Sequence, residues 1–233
     1  MIEIAGISLH LYGLIIGLGV LVAWEIAQKE AERRSISLSY FNRLVEITVL
    51  GGILGARVYH VAHYWNSYYA NNLIKILFFW EGGLGIWGAV IGGLLFLLGY
   101  TYIYSLLNKL FRVNIMDVID SVILGLPLAQ AIGRLGNLFN NELWGTNGEP
   151  LFLYESVLNL FLFGLMYRSR KYKTIAGFLL GVYLFGYGVI RLSLDHLRAT
   201  GDVWKVQNIS VAVILSLVSI LGGGWLVFKK RQS

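Results

Sequence analysis

The stretch Gly82-Gly83-Leu84-Gly85-Ile86-Trp87-Gly88-Ala89-Val90-Ile91-Gly92-Gly93-Leu94-Leu95-Phe96-Leu97-Leu98-Gly99-Tyr100-Thr101-Tyr102-Ile103-Tyr104-Ser105-Leu106-Leu107 contains no charged side chain. A helix crosses the hydrocarbon core of a bilayer with about 20 apolar residues, so this segment predicts a membrane span over 82–107. Outward from it the same pattern recurs at 6–28, 43–64, 115–133, 151–167, 175–194 and 208–228. Of 233 residues, 57% are apolar and 14% charged, against about 45–50% and about 25% in soluble domains. Such a chain cannot hide its apolar surface in one water-facing core. The fold class that follows is an all-α polytopic membrane protein with seven transmembrane helices, a single integral-membrane domain over residues 1–233. Seven Trp, 14 Tyr and 12 Phe exclude a disordered chain. The absence of Cys excludes disulfide scaffolds, thiolate metal sites and a cysteine nucleophile.

Basic residues fix the expected orientation. Lys29, Arg33, Arg34 and Arg43 follow the first span, Lys109 and Arg112 the third, Arg168, Arg170, Lys171 and Lys173 the fifth, and Lys229, Lys230 and Arg231 the last. Cations on alternate connections mark the cytoplasmic side, which puts the C-terminus in the cytoplasm and the N-terminus outside. Topology thus accounts for the formal charge of +6, and no nucleic-acid partner is expected. Met1 to Ala5 carries no basic region ahead of the first apolar run, so no cleavable signal peptide is expected. Leu73 to Trp80 is too short to span and reads as an interfacial or re-entrant piece. Gly13 with Gly17, Gly51 with Gly55, Gly88 with Gly92, and Gly177 with Gly181 stand four apart, the spacing that lets helix backbones approach in lipid.

Arg57, Lys75, Arg134, Arg191, Arg198 and Lys205 are the basic residues that topology does not explain. A guanidinium at the centre of a span costs at least about 2.5–3.5 kcal/mol, so Arg57, Arg134 and Arg191 are expected to converge on an external-side anion site suited to phosphate oxygens. The polar cluster Gly133-Arg134-Leu135-Gly136-Asn137-Leu138-Phe139-Asn140-Asn141-Glu142-Leu143-Trp144-Gly145 reads as a loop closing the fourth span. Segments 65–81 and 134–150 are expected to form part of the site from outside. Tyr187, Arg191 and Asp195 are four apart and share one helix face. Trp80-Glu81-Gly82-Gly83 is a glycine-dense entry to the third span. Asp117 and Asp120 lack the further Asp and Gly that a metal-dependent phosphotransferase would add, so no metal is expected. His60 and His63 read as interfacial polar residues.

With its flanks, the Gly133 to Gly145 cluster resembles the signature stretch of the prolipoprotein diacylglyceryl transferase family. The resemblance extends along nearly the whole chain: Leu11-Tyr12-Gly13, Gly55-Ala56-Arg57, Trp80-Glu81-Gly82-Gly83-Leu84, Asp120 with Pro127, Leu153-Tyr154-Glu155 after Pro150, Tyr187 with Arg191, and Gln207 with Ser210. It implies transfer of the sn-1,2-diacylglyceryl group of phosphatidylglycerol to the lipobox cysteine thiol of a preprolipoprotein. Glycerol 1-phosphate leaves, no cofactor is needed, and the location is the bacterial plasma (inner) membrane.

In this reading Arg134 and Arg191 grip the phosphate, Glu142 joins them as a catalytic candidate, and Asn137 and Gly145 shape the headgroup pocket. Tyr12, Tyr187 and Arg57 also contact the lipid, while Asp120, Glu155, Asp195 and Gly83 support the site. The chain departs from the family pattern at Trp87, where His is frequent, at Asp195 for Glu, at His60 for Tyr, and at Glu149 for His. Trp87 cannot act as a base, so either that His is not the thiol base in this branch or another group such as Glu142 or His196 substitutes. The rival reading is a small transporter or channel for an anionic solute, which would more naturally show repeated halves.

Overall fold

The computed structural model describes residues 2–4, 7–9, 11–78, 82–108, 113–140, 142–171, 175–198, 205–206 and 209–229. Trp80, Glu81, Lys109, Arg112, Asn141, Lys173, Gln207, Lys230 and Arg231, singled out above, lie outside the described residues. Among the described residues, seven helices are long and apolar enough to cross a membrane. They are α1 (Leu11–Arg33), α2 (Leu38–His63), α3 (Ile86–Leu107), α4 (Ile115–Asn140), α5 (Leu151–Ser169), α6 (Phe178–Asp195) and α7 (Val211–Phe228). Two short antiparallel hairpins accompany them: β1 (Ile2–Ile4) with β2 (Ile7–Leu9), and β3 (Lys205–Val206) with β4 (Ile209–Ser210). The expected interfacial piece is a 3-10 turn, Leu73–Leu77, with Leu73, Ile74 and Leu77 exposed.

α1 and α4 run well past the predicted C-terminal ends of their spans, for physical reasons. α1 continues to Arg33 because its terminal charges are paired. Glu30, fully buried, accepts from Arg33 Nε at 2.8 Å, Arg34 Nε at 3.0 Å and Arg170 Nη1 at 3.2 Å. α4 continues through Arg134 and Asn137 to Asn140, so the first half of the expected polar loop is helical. Tertiary packing overrides its polar composition. Gly136 lies against the Tyr12 ring of α1, where an added methyl would stand 3.0 Å from Cδ2. Asn137 is buried, and its carbonyl accepts the Glu142 N–H at 3.0 Å to close the helix end.

By contacts the chain divides into two units, residues 1–35 with 116–233, and residues 36–115. In the second unit α2 packs on α3 through Gly51, Gly55, Gly88 and Gly92, as the spacing predicts; a methyl on Gly55 would stand 2.8 Å from the Gly92 Cα. In the first unit α1 meets α4 where Gly125 faces the Ala23 carbonyl, and α6 meets α7 where Gly223 faces Gly181. Gly13 and Gly17 do not pack, contrary to expectation: both are exposed, with nothing within 4 Å of an added methyl. Gly177 serves the start of α6 at φ +87° instead of a helix contact. A core of Leu124, Leu151, Leu162, Met166 and Leu179 fills the space among α4, α5 and α6.

The first turn of α6 is held by a side chain from another helix. Asp120 of α4, fully buried, accepts the N–H of Gly177 at 2.9 Å and of Leu180 at 2.8 Å, and its Oδ2 stands 3.0 Å from Arg34 Nη2. The helix N-terminus favours an anion there through its exposed N–H groups and dipole. This bond anchors the helix that carries Tyr187, Arg191 and Asp195 at its other end.

Candidate active site

Glu155, one turn into α5 and 2% exposed, is the centre of the first unit's polar cluster. Arg134 of α4 places Nε 2.7 Å from its Oε2, and Arg198, just beyond α6, pairs with its Oε1. Asn159 donates Nδ2 to the Glu155 carbonyl at 2.8 Å, fixing the α5 turn beneath the carboxylate. On α6, Arg191 Nη2 stands 3.5 Å from Asp195 Oδ1, which also accepts the Ser210 hydroxyl at 3.4 Å. Arg191 lies within electrostatic reach of Arg198 and Glu155. The cluster therefore sets Arg134, Arg191 and Arg198 against Glu155 and Asp195, leaving one guanidinium charge uncompensated.

Its hydrogen bonding is also incomplete. Among the described residues, the buried atoms Arg191 Nη1 and Arg198 Nε donate to nothing, and the buried acceptors Gln130 Oε1 and Asn159 Oδ1 receive nothing. Buried polar groups are rarely left so, because each lacks the water it gave up. Gln130, one helical turn before Arg134, donates Nε2 to the Tyr183 hydroxyl at 2.9 Å. Tyr183 stacks on Tyr187 with centroids 5.6 Å apart.

The segment 142–150 closes over this end of the helices as a small extended loop. Trp144 bridges Pro150, and Gly145 bridges Arg198, while the Thr146 N–H donates to the Leu197 carbonyl at 2.9 Å. The Gly145 N–H donates to the Glu149 carbonyl at 2.8 Å, and a side chain at Gly145 would collide with the Glu149 carboxylate. That carboxylate accepts from the Asn147 side chain and main chain at 3.0 Å, which holds its pKa below the ordinary carboxyl range. Arg198 is thus fixed twice, by its backbone to Gly145 and by its side chain to Glu155.

The structure gathers Arg134, Glu155, Arg191 and Asp195 in one cluster, with Gly145 joined to it through Arg198. Tyr187 enters through Tyr183, and Tyr12 lies against Gly136. Glu142 contributes a backbone bond to Asn137 while its residue is exposed. Asp120 lies about 21 Å away along α4, at a rise of about 1.5 Å for each residue.

Arg57 and Gly83 belong to the second unit. There the buried Arg57 donates Nε to the Ile76 carbonyl at 2.8 Å, Nη1 to Gly82 and Gly83 at 2.8 and 3.1 Å, and Nη2 to Lys75 at 2.5 Å. Gly82 and Gly83 have φ of +93° and +75°, backbone that an L side chain rarely adopts, so their carbonyls can turn toward the guanidinium. Arg57, His60, Tyr64, Tyr69 and Lys75 line a cavity of about 350 Å³.

Sequence reasoning missed Gln130 and Tyr183, and it left Arg198 without a role. Arg198 was visible as a cation that topology does not explain. Gln130 and Tyr183 were visible as residues one turn before Arg134 and Tyr187, yet nothing in one helix reveals that they face each other.

Fold and cluster together define a polytopic membrane protein whose first unit holds a partly buried group of three arginines and two carboxylates. The model of one family, described as prolipoprotein diacylglyceryl transferase, matches residues 1–229. A relative from Clostridioides difficile (strain 630), named phosphatidylglycerol–prolipoprotein diacylglyceryl transferase, is 35% identical over 231 residues, covering 94% of this chain and 89% of its own. A relative of the same name from Thermotoga maritima is 34% identical over 256 residues, covering 99% and 84%. Another so named, from Parasynechococcus marenigrum (strain WH8102), is 34% identical over 268 residues, covering 100% and 94%. The chain belongs to the prolipoprotein diacylglyceryl transferase family. That membership lends no support to the anionic-solute transporter.

Proposed function

We propose that the protein transfers the sn-1,2-diacylglyceryl group of phosphatidylglycerol to the lipobox cysteine thiol of preprolipoproteins. It does so as one integral-membrane domain of the bacterial plasma membrane, N-terminus outside and C-terminus cytoplasmic. The thiol gives up its proton, sulfur bonds to the glyceryl carbon, the carbon–oxygen bond to phosphate breaks with its electrons passing to oxygen, and glycerol 1-phosphate leaves, the proton passing to the product phosphate or to water.

The observation that carries the reading is the pair of buried donors Arg191 Nη1 and Arg198 Nε, within a cluster bearing one surplus positive charge. A phosphodiester monoanion supplies both the missing acceptors and the missing charge, and charge-assisted bonds of this type are the strong ones. As negative charge grows on the departing phosphate, donors already in place stabilise it without reorganising. Arg134 and Arg191 hold the phosphate, with Arg198 beside them. Asn137, Glu142 and Gly145 shape the headgroup pocket, Tyr12 and Tyr187 contribute further lipid contacts, and Arg57 of the second unit contacts lipid in its own unit. Glu155 and Asp195 orient the guanidinium groups, Asp120 anchors α6, and Gly83 shapes the Arg57 segment.

The test is purified protein in vesicles with phosphatidylglycerol and a lipobox peptide, read by mass for a diacylglyceryl increment on the cysteine. Wild type adds the increment, and Arg134→Ala abolishes it while inserting normally into membranes. Full activity in that variant refutes the phosphate clamp; absence of any increment with wild type refutes the reaction.

A further inference from the structure

We propose that Gln130 and Tyr183 form a specificity element for the polyol part of the lipid headgroup, a deepening that rests on the transferase reading above. The unsatisfied atoms of the first unit divide into two chemical kinds. Around the cluster Arg191 Nη1 and Arg198 Nε are donors, which a phosphate satisfies, while Gln130 Oε1 and Asn159 Oδ1 are acceptors, which a phosphate cannot satisfy; Arg34 Nη2 and Arg170 Nε lie at the other end of the unit beside Glu30 and Asp120. A ligand that meets both carries an anionic group and a hydroxyl.

The Gln130–Tyr183 pair is built to meet that hydroxyl from two directions. Because Gln130 Nε2 donates to the Tyr183 oxygen at 2.9 Å, the phenol proton is free to turn to another acceptor. The pair therefore presents one acceptor, Gln130 Oε1, beside one donor, the Tyr183 O–H. An alcohol both donates and accepts, so it matches the pair. A trimethylammonium cannot donate, and an ammonium cannot accept.

Position agrees with chemistry. Gln130 precedes Arg134 by one turn on the same face of α4, and Tyr183 stacks on Tyr187, which lies one turn before Arg191 on α6. The pair thus stands below the guanidinium cluster on both helices that supply it, one turn from Arg134 on α4 and two turns from Arg191 on α6. The glycerol of phosphatidylglycerol is bonded to the phosphate and carries two free hydroxyls, so a headgroup whose phosphate is held by Arg134 and Arg191, with Arg198 beside them, extends toward Gln130, one turn from Arg134.

The experiment compares phosphatidylglycerol with phosphatidylpropanol, in which both free hydroxyls are replaced by hydrogen, as donors to a lipobox peptide in vesicles of otherwise identical composition. Wild type is expected to prefer phosphatidylglycerol by about tenfold or more in kcat/KM, the size of one or more neutral hydrogen bonds. Gln130→Leu and Tyr183→Phe each lose about tenfold on phosphatidylglycerol, chiefly in KM, and change little on phosphatidylpropanol, so the preference collapses. Tyr183→Phe removes only an oxygen and keeps the ring stack, which guards against misfolding. Equal losses on both lipids in both variants overturn the inference and make the pair structural. A wild type that uses both lipids equally overturns it while leaving the transferase intact. A wild type that uses neither removes the reaction and the inference with it.

Discussion

Replacing Glu155 by Gln tests whether the carboxylate aligns the guanidinium cluster. The side chain is 2% exposed and keeps its shape in the variant, but its charge is gone. Arg134, whose side chain is 29% exposed, loses its partner at 2.7 Å, and Arg198, 15% exposed, loses its own. Removing one member of a fully buried ion pair costs about 3–5 kcal/mol. Partial exposure of Arg134, together with the amide oxygen that Gln still offers as an acceptor, lowers this to about 2 kcal/mol.

The larger effect falls on catalysis, because both guanidinium groups become free to rotate away from the reacting phosphate. Displacing a catalytic group by about 1 Å costs about 100-fold in rate. The expected result is a kcat lowered by about 30–100-fold, with a smaller change in KM, because a cluster richer in positive charge still attracts an anionic lipid. Steady-state transfer to a lipobox peptide supplies the rates, and thermal unfolding in the same detergent supplies the stability. In a double-mutant cycle, Arg198→Ala should cost far less in the Glu155→Gln background than alone, as coupled neighbours do. A kcat within twofold of wild type, or strictly additive losses with Arg198→Ala, refutes the alignment role.

Asp120→Ala removes the anion capping α6 and leaves the Gly177 and Leu180 N–H groups and Arg34 short of a partner, so a loss of about 3–5 kcal/mol is expected in thermal or denaturant unfolding. Gly55→Leu drives a side chain into the Gly88 and Gly92 backbone of α3 and should cost at least about 1–3 kcal/mol, read as a lower unfolding temperature. Because the carboxyl of Glu149 is held below its ordinary range, its contribution to loop 142–150 is full above the unfolded-state pKa and disappears as pH falls through the lower folded value. The protection of the Gly145 and Thr146 amides, taken relative to intrinsic exchange at each pH, should therefore hold near neutral pH and fall only in acid. Transfer rate should rise with pH through the substrate thiol, along a limb below the free-cysteine value of about 8.5; a limb at pH 4–5 in the rate profile would instead assign a carboxylate base.

The seven helices were legible because lipid imposes a simple requirement on each: about 20 apolar residues with the backbone satisfied internally. Their ends were less legible. Hydropathy closes a span at its first cation, whereas Glu30 and the arginines around it neutralise one another and let α1 run on to Arg33. It also closes α4 at the polar run, where packing of Gly136 on Tyr12 keeps the helix intact through Asn140. Arg134, Arg191, Asp195 and Glu155 stood out as charges in apolar company, and the resemblance gave them roles. Arg198 reaches the cluster only because loop 142–150 pairs with its backbone. The Gln130–Tyr183 bond spans two helices far apart in sequence, and one sequence carries no trace of such a contact.

The cluster's charge also bears on the step that sequence left unassigned. Glu155 and Asp195 are both engaged by guanidinium groups, Glu142 sits on an exposed loop, and Trp87 has no basic nitrogen, which leaves the exposed His196 at the end of α6 as the other candidate base. What the first unit holds in excess is positive charge. A thiol approaching it ionises more readily than free cysteine, since neighbouring cations favour the thiolate. The reaction then exchanges one anion for another: charge leaves sulfur as the thioether forms and appears on the phosphate as the carbon–oxygen bond breaks. A phosphate monoester has its second pKa near about 6, so the product can carry the additional negative charge at neutral pH. On the proposed reading the bound phosphodiester already balances the surplus charge, so it is the proximity of individual guanidinium groups to sulfur that favours the thiolate, and the same donors receive the charge that appears on the leaving group. A side chain at position 87 without acid–base chemistry is compatible with that arrangement.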